Sequence, residues 1–395
     1  MPPENNSFKN IPLELYKPDW DSALARTILE LEKLRVKKLG GPVPPYIFFQ
    51  LKNIFHMMES LGSARIEGNN TTLAEFVEKI IDRTSEEAGD DQLREILNIE
   101  RAIDFIETVI TDQMPLTRAH LSQIHHSIVN TLPPPPGGEG SRTPGVFRSM
   151  AVAIKKSGLV PPEPIQVPEY VRELLDFVNA PVDSQNDLLV TALAHHRLAW
   201  IHPFDNGNGR TVRLFTYALL IKQGFRVKVG RILNPTAIFC MDRERYYDML
   251  ARADSGTREG ALEWCSYVLE GLQREVEKID RLLDQAYLTE NLLLPVLSYA
   301  REREHITARE YEILFAVVKS EEMSVKSVDL EAIIGQETPL QRSRIIKRLK
   351  DKGMLRPLKE NGRIYTIGFV NNYLLRGIFE TLTKNGFVPE SLTRK

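Results

Sequence analysis

At 395 residues, with 42% hydrophobic and 26% charged side chains, the chain has material for two or three globular domains. A net charge of -2 excludes a global basic field of the kind that draws a protein onto nucleic acid or an anionic membrane, so any such contact must be local. No apolar run approaches the ~20 residues a membrane span requires.

The first residues, MPPENNSFKN, lack a basic-then-apolar signal pattern, and a cytoplasmic location is expected. In DSALARTILELEKLRVKK the leucines and isoleucines recur at three and four, the period of an amphipathic helix, until GGPVPP breaks it. PYIFFQLKNIFHMMESLGSARIEG predicts a helix over about 45–67, closed by Gly68 and two asparagines. Glu67 then stands at a helix end, where the negative pole disfavours a carboxylate unless a cation arrives from elsewhere; by itself such a residue is ordinarily a solvated surface side chain. TLAEFVEKIIDR and QLREILNIERAIDFIETVI continue the helical pattern across the charged loop TSEEAGDD. LPPPPGGEGSRTPG, residues 132–145, cannot be helix and reads as a surface connector. MAVAIKKSGLVPP predicts a short hairpin around residues 150–160, the one strand-like element of the first 300 residues.

VPEYVRELLDFVN, DLLVTALAHHRLAWI, RTVRLFTYALLIKQG, RERYYDMLARAD and REGALEWCSYVLEGLQREVEKIDRLLDQAY follow as helices, so the body is all-α. His195 and His196 read as structural, and Cys240 and Cys265, without CxxC spacing, suggest neither zinc nor a disulfide. Beyond about Leu292 come ITAREYEILFAVVKS, KSVDLEAIIG and TPLQRSRIIKRLKDKG, the last opened by Thr338 as N-cap and Pro339 at the first helical position. Two strands across an Asn-Gly turn complete the segment, GMLRPLKE-NGR-IYTIGF. Three helices and a small hairpin in that order resemble a winged-helix domain. Arg342, Arg344, Lys347, Arg348, Lys350 and Lys352 on its third helix would suit either phosphate contacts or a solvated face.

The stretch IHPFDNGNGRTVR, residues 201–213, carries the densest chemistry. Pro203 disfavours helix at His202, and a new helix starts near Asn208 or Gly209. Gly207 and Gly209 allow consecutive N–H groups to converge on an anion at a helix N-terminus, where the macrodipole also favours negative charge. Arg210 and Arg213, three apart, share one face of the first turn and can span a polyphosphate. His202, across the loop, could take a proton from a hydroxyl attacking phosphorus.

HPFDNGNGRTVR resembles the signature of the Fic family, HPFx(D/E)GNGRxxR. The resemblance extends over about residues 30–280 and implies a mainly α, all-helical Fic fold with a small β-hairpin flap, followed by the winged-helix-like segment. Family members typically transfer AMP from ATP to a hydroxyl of a target protein. The resemblance makes His202 the general base, and Phe204 the anchor of the loop. It gives the phosphates to Gly207, Asn208 and Gly209, with Arg210 and Arg213 on the β and γ groups, and sets Tyr247 by the adenine. SARIEG fits the (S/T)xxxE(G/N) pattern of members that carry an inhibitory helix, so the resemblance reverses the surface reading: Arg213 would serve as the cation for Glu67, which is expected to oppose ATP. One position departs: the acidic Mg²⁺ ligand falls on Asn206, with the carboxylate one residue earlier at Asp205. Either Asp205 swings in, or Asn206 ligates weakly, or the site is slow.

The expected domains are an N-terminal helical region (1–112), a Fic core (113–290) and a winged-helix-like domain (291–395). The expected activity is autoinhibited AMP transfer from ATP with Mg²⁺ to a Tyr, Ser or Thr hydroxyl. The target would dock along the flap by strand addition, and self-modification, a homodimer and weak DNA binding are further expectations. Removal of AMP from a modified target, or a nucleotide-sensing winged-helix regulator, are the alternatives.

Overall fold

The computed structural model describes residues 8–36, 43–82, 90–154, 159–225, 232–334, 338–360 and 362–394. They form two compact units. The first comprises Met1–Lys37, His56–Thr71 and Gly89–Glu277; the second comprises Lys38–Phe55, Thr72–Ala88 and Lys278–Lys395.

The first half of the chain supplies helices α1 (Ala23–Val36), α2 (Pro45–Glu67), α3 (Leu73–Ile81), α4 (Asp91–Val109) and α5 (Arg118–Val129). After a long loop come α6 (Val167–Asn179), α7 (Ser184–Ile201), α8 (Asn208–Lys222), α9 (Thr236–Cys240), α10 (Arg243–Ala253) and α11 (Arg258–Leu282). Within the first unit α7 and α8 are the core. Both are buried on every side over most of their length, which is why neither has a one-sided apolar stripe. They pack on each other, α7 also on α6, and α8 also on α4 and α5. His195 ties three helices together: its Nδ1 meets the Thr216 hydroxyl of α8 at 2.8 Å and its Nε2 meets the Tyr246 hydroxyl of α10 at 2.9 Å. His196 pairs with Asp254 at 2.8 Å, so both histidines are structural.

The second unit continues with α12 (Gln285–Leu288), a π-helical turn over Thr289–Leu293, and α13 (Leu294–Glu302). Pro295, the second residue of α13, lacks an N–H, and a widened turn just before it is one way to accommodate the missing bond. Then come α14 (Ala308–Lys319), β1 (Ser324–Lys326), α15 (Ser327–Ile334), α16 (Pro339–Asp351), β2 (Leu355–Pro357), β3 (Ile364–Ile367) and α17 (Leu374–Lys384). β3 is central and pairs antiparallel with both neighbours, Val325 opposite Tyr365 and Arg356 opposite Thr366. Thr338 caps α16 through Gln341, with Pro339 first in the helix. β1 has three residues, too few for an alternating pattern to announce it.

The protein is mainly α, as the sequence predicts. The expected hairpin around residues 150–160 is described only in part. Its turn, residues 155–158, lies outside the described residues, and the described chain on either side forms no strand pairing.

Candidate active site

The site is built in the first unit, where α7 stops and α8 begins. His202 takes a left-handed conformation, φ 49°, directly before Pro203. Its Nδ1 lies 3.2 Å from the Ala199 carbonyl, which can only accept, so Nδ1 carries the proton and Nε2 the lone pair. Burial pushes the imidazole down to about 4, against a smaller opposing pull from that carbonyl, and the ring is neutral at pH 7.

Phe204 is fully buried and stacks face to face on His125 of α5, ring centres 3.7 Å apart. Asn208 clamps the same residue, accepting from its N–H at 2.9 Å and donating to its carbonyl at 2.8 Å. Gly207, at φ 71°, then turns the chain into α8, whose first N–H groups have no partner within the helix. The geometry is that of an anion cradle.

A carboxylate already occupies it. Glu67, the last residue of α2, lies against Gly209 so closely that any side chain there would collide with it. Its Oε1 accepts from Arg213 Nη2 at 2.8 Å. Ser63, one turn earlier on α2, accepts from Arg213 twice, at its hydroxyl and its carbonyl, both at 2.9 Å. Burial alone would raise the Glu67 carboxyl, but Arg213, then Arg210 and Arg243, outweigh it and hold it below the usual carboxylate value.

Arg210 is fully buried and faces other partners. Its Nη1 is 2.8 Å from Glu95 Oε1 on α4, at ion-pair distance but without a well-directed hydrogen bond. Its Nη2 donates to the Glu139 carbonyl at 2.7 Å and lies 3.6 Å from the Glu139 carboxylate. Glu95 is buried too, which pushes its carboxyl up even beside Arg210, and Asn69 donates to it at 2.9 Å.

The two candidates for the metal face elsewhere. Asp205 accepts from the Ser141 hydroxyl at 2.5 Å and from the Arg142 N–H at 2.9 Å, which commits both oxygens to the 132–145 loop. Asn206 turns its Nδ2 to the Gly140 carbonyl at 3.0 Å and to Glu139 Oε2 at 3.3 Å. Among the described residues no three His, Cys, Asp or Glu side chains gather as a metal cluster. Mg²⁺ needs less from a protein, since it keeps waters and takes phosphate oxygens alongside one or two carboxylates. Glu139 offers such a carboxylate, so the donor set fits.

Tyr247 lies partly buried on α10 beside Tyr246, ring centres 5.3 Å apart, with the Arg243 guanidinium 5.8 Å from its own ring centre. It is near enough to Arg213 to act on its charge.

Four contributors escape a reading of the sequence: Glu95, Glu139, His125 and Arg148. His125 accepts from the Gly145 N–H at Nδ1, 2.8 Å, and donates from Nε2 to the Asn206 carbonyl, 3.0 Å, thereby fixing the loop from both sides. Arg148 donates to the carbonyls of His202 at 2.8 Å, Met150 at 3.2 Å and Pro162 at 2.6 Å, tying the described chain on either side of the expected hairpin to the His202 backbone. The loop 132–145, which reads as a plain connector, is part of the site. A carboxylate in a Pro/Gly-rich loop carries no periodic signal that would mark it.

The Fic/DOC family model matches residues 115–220, the stretch from the start of α5 to the end of α8. A protein adenylyltransferase Fic from Drosophila willistoni is 30% identical over 203 residues, 51% of this chain and 37% of that protein. Its counterpart from Drosophila grimshawi is 29% identical over the same length. The chain thus spans less than two fifths of the length of the curated relatives it matches. Among solved structures, a Fic family protein from Desulfovibrio desulfuricans aligns over 89% of this chain and 97% of its own, with a TM-score of 0.56 at 19% identity. A Fic domain containing signaling protein from Bacteroides thetaiotaomicron aligns over 66% of this chain and 96% of its own, with a TM-score of 0.51 at 19% identity. With the matched segment falling on the helix pair and loop that build the cradle, the chain carries a Fic domain over residues 115–220.

Proposed function

We propose that this protein transfers AMP from ATP to a hydroxyl side chain of a protein and that Glu67 holds the activity in check. One observation carries the reading: a carboxylate from a distant helix sits in the α8 anion cradle, paired with the arginine a terminal phosphate would need. An anion site that its own chain fills with an anion is a site built to bind one.

In this reading the phosphates of ATP take the place of the Glu67 carboxylate against Gly207, Asn208 and Gly209, with Arg210 and Arg213 on the β and γ groups. Tyr247 packs by the adenine. The acceptor oxygen attacks the α-phosphorus and its proton passes to His202 Nε2, the nitrogen left free by the Nδ1 bond to Ala199. The bond from the α-phosphorus to the bridging oxygen breaks and pyrophosphate leaves. Mg²⁺ bound with the nucleotide supplies neutralisation of phosphate charge. The substrate segment docks along the expected flap, and the bonds from Arg148 to the Met150, Pro162 and His202 carbonyls support that placement. In the second unit, the order α14, β1, α15, α16, β2, β3 and the β1-β3-β2 sheet support a winged-helix reading.

Incubation with ATP labelled at the α or, separately, the γ phosphate tests the reaction. Label from the α position alone is expected on the protein itself or on lysate proteins, and His202→Ala is expected to lower it ~10²- to 10⁴-fold with nucleotide binding retained. Undiminished incorporation in that variant removes His202 from the mechanism; γ label on protein replaces AMP transfer with phosphoryl transfer.

A further inference from the structure

We propose that Glu139 is the carboxylate that meets the divalent cation accompanying the nucleotide, with Asn206 as the residue that positions it. The proposal rests on the nucleotide reading above and goes beyond it by reassigning the acid.

The direction of each hydrogen bond decides between the candidates. Asp205 is the acid nearest in sequence to the expected position, yet its oxygens accept from Ser141 and Arg142. Freeing it would undo the contacts that hold the 132–145 loop. Asn206 donates to both of its neighbours, Gly140 carbonyl and Glu139 carboxylate, so its Nδ2 and not its oxygen faces that side. A carboxylate at 206 in this setting would confront a carbonyl at 3.0 Å and another carboxylate at 3.3 Å. An amide there is therefore the complement of an acid at 139: the charge has moved across the contact, and the donor has moved the other way.

Glu139 is also free to do the work. Its side chain is 41% exposed, whereas Arg210 beside it is 1% exposed. Arg210 donates to the Glu139 carbonyl, and its Nε is buried without a hydrogen-bond partner among the described residues, an orphan N–H that points to an anionic ligand at this spot. Phosphate oxygens on Arg210 and a cation on Glu139 would satisfy both groups at once. The close packing of Gly140 against the Leu132 carbonyl, where a Cβ would collide, holds the loop at the distance that lets Glu139 reach.

The test is the gain in nucleotide affinity that Mg²⁺ brings, measured by calorimetry with the α,β-methylene analogue of ATP, with and without Mg²⁺. It is run in the wild-type and E67G backgrounds. Because the readout is a ratio, a general loss of loop order cancels. Mg²⁺ is expected to tighten binding by about ten-fold or more, the scale on which groups at a metal site act. E139Q should abolish the gain and D205N should keep it. The transposed pair E139Q/N206D should recover it, which a misfolded E139Q protein could not explain. A gain that survives E139Q, or one that D205N removes, overturns the assignment while leaving the nucleotide reading intact. No binding of the analogue in either background overturns both.

Discussion

Glu67 and Glu95 hold two arginines of one helix in unlike ways. The Arg210–Glu95 pair is sealed, with side chains 1% and 3% exposed, and breaking such a pair strands a buried charge at a cost of several kcal/mol. Glu67 is 26% exposed, sits at a chain reversal before Gly68 at φ 115°, and shares Arg213 with Ser63. Glu95 is therefore part of the fold, and in the proposed function Glu67 is the carboxylate that an incoming phosphate would displace. Glu67→Gly is expected to raise label transfer roughly 5- to 150-fold, the range of ordinary coupling free energies. Glu67→Gln separates charge from bulk: near-equal activation means that the negative charge blocks ATP, and little activation means that the side chain's volume does. Both variants leave Arg213 without its carboxylate, so thermal melts should show lower stability without nucleotide and a larger rise on adding it than the wild type shows. A transfer rate unchanged in Glu67→Gly, on folded protein with a competent acceptor, returns Glu67 to the role of an ordinary helix end.

Helix α16 shows how an element can look like a binding face and be partly spent on packing. Its basic residues suggest phosphate contacts, but Arg348 donates to the fully buried Glu310 at 2.7 Å, and Lys352 joins it at 3.2 Å while also donating to the His305 carbonyl at 3.0 Å. Burial would raise Glu310; the bond from Arg348, the Thr307 backbone and Lys352 together hold it below the usual value. Arg344, Lys347 and Lys350 stay exposed. If the full chain binds duplex DNA, few phosphates are neutralised, and the slope of log K against log salt should be no steeper than about -4. Arg344→Ala with Lys347→Ala should flatten it by about two; a steep slope indifferent to both would put the contact on another element. The same contrast separates what was legible in the sequence from what was not. The break between α7 and α8 follows from Pro203 and the glycines, and the Thr338 cap from residue type alone. Those are local effects, written within a few residues. Glu95, Glu139, His125 and Arg148 reach the segment 202–210 across 54 to 115 residues, where neither periodicity nor turn chemistry reaches; the packing of α4 and α5 on α8 brings the first and third there, and the chain between α5 and α6 brings the other two.

At the scale of the molecule, two compact units give the protein more than one core, and a pH effect belongs to the unit that holds the titrating group. His125 is buried in the first, joined to the Gly145 N–H, the Asn206 carbonyl and the face of Phe204. Its Nδ1 must stay unprotonated to accept from Gly145, and burial, the dominant cause, pushes the ring down to about 4 from the ordinary 6.5. The unfolded chain therefore binds a proton at this residue below about pH 6.5, while the folded chain does so only below about 4. Stability contributed by the neutral ring is whole above pH 6.5 and drains away as pH falls toward 4, on the order of 3 kcal/mol at the 1.36 kcal/mol that each unit carries. His202 shifts the same way and adds to the loss, whereas Glu59 and Glu100, each raised to about 7 by burial, oppose it between about pH 4.5 and 7 because the folded chain holds their protons. Comparison with a variant isolates the one group. His125→Asn should reduce the rise of unfolding free energy with pH by up to about 1.4 kcal/mol per unit near pH 5, whatever its effect on stability at neutral pH. Tryptophan fluorescence reads the right unit: Trp20, Trp200 and Trp264 all lie in the first, the latter two buried. Denaturant melts at pH 7.5, 6, 5 and 4.5 supply the slope. Parallel curves for wild type and His125→Asn would mean that the imidazole is protonated as readily folded as unfolded, and that the Gly145 contact does not hold the loop between α7 and α8.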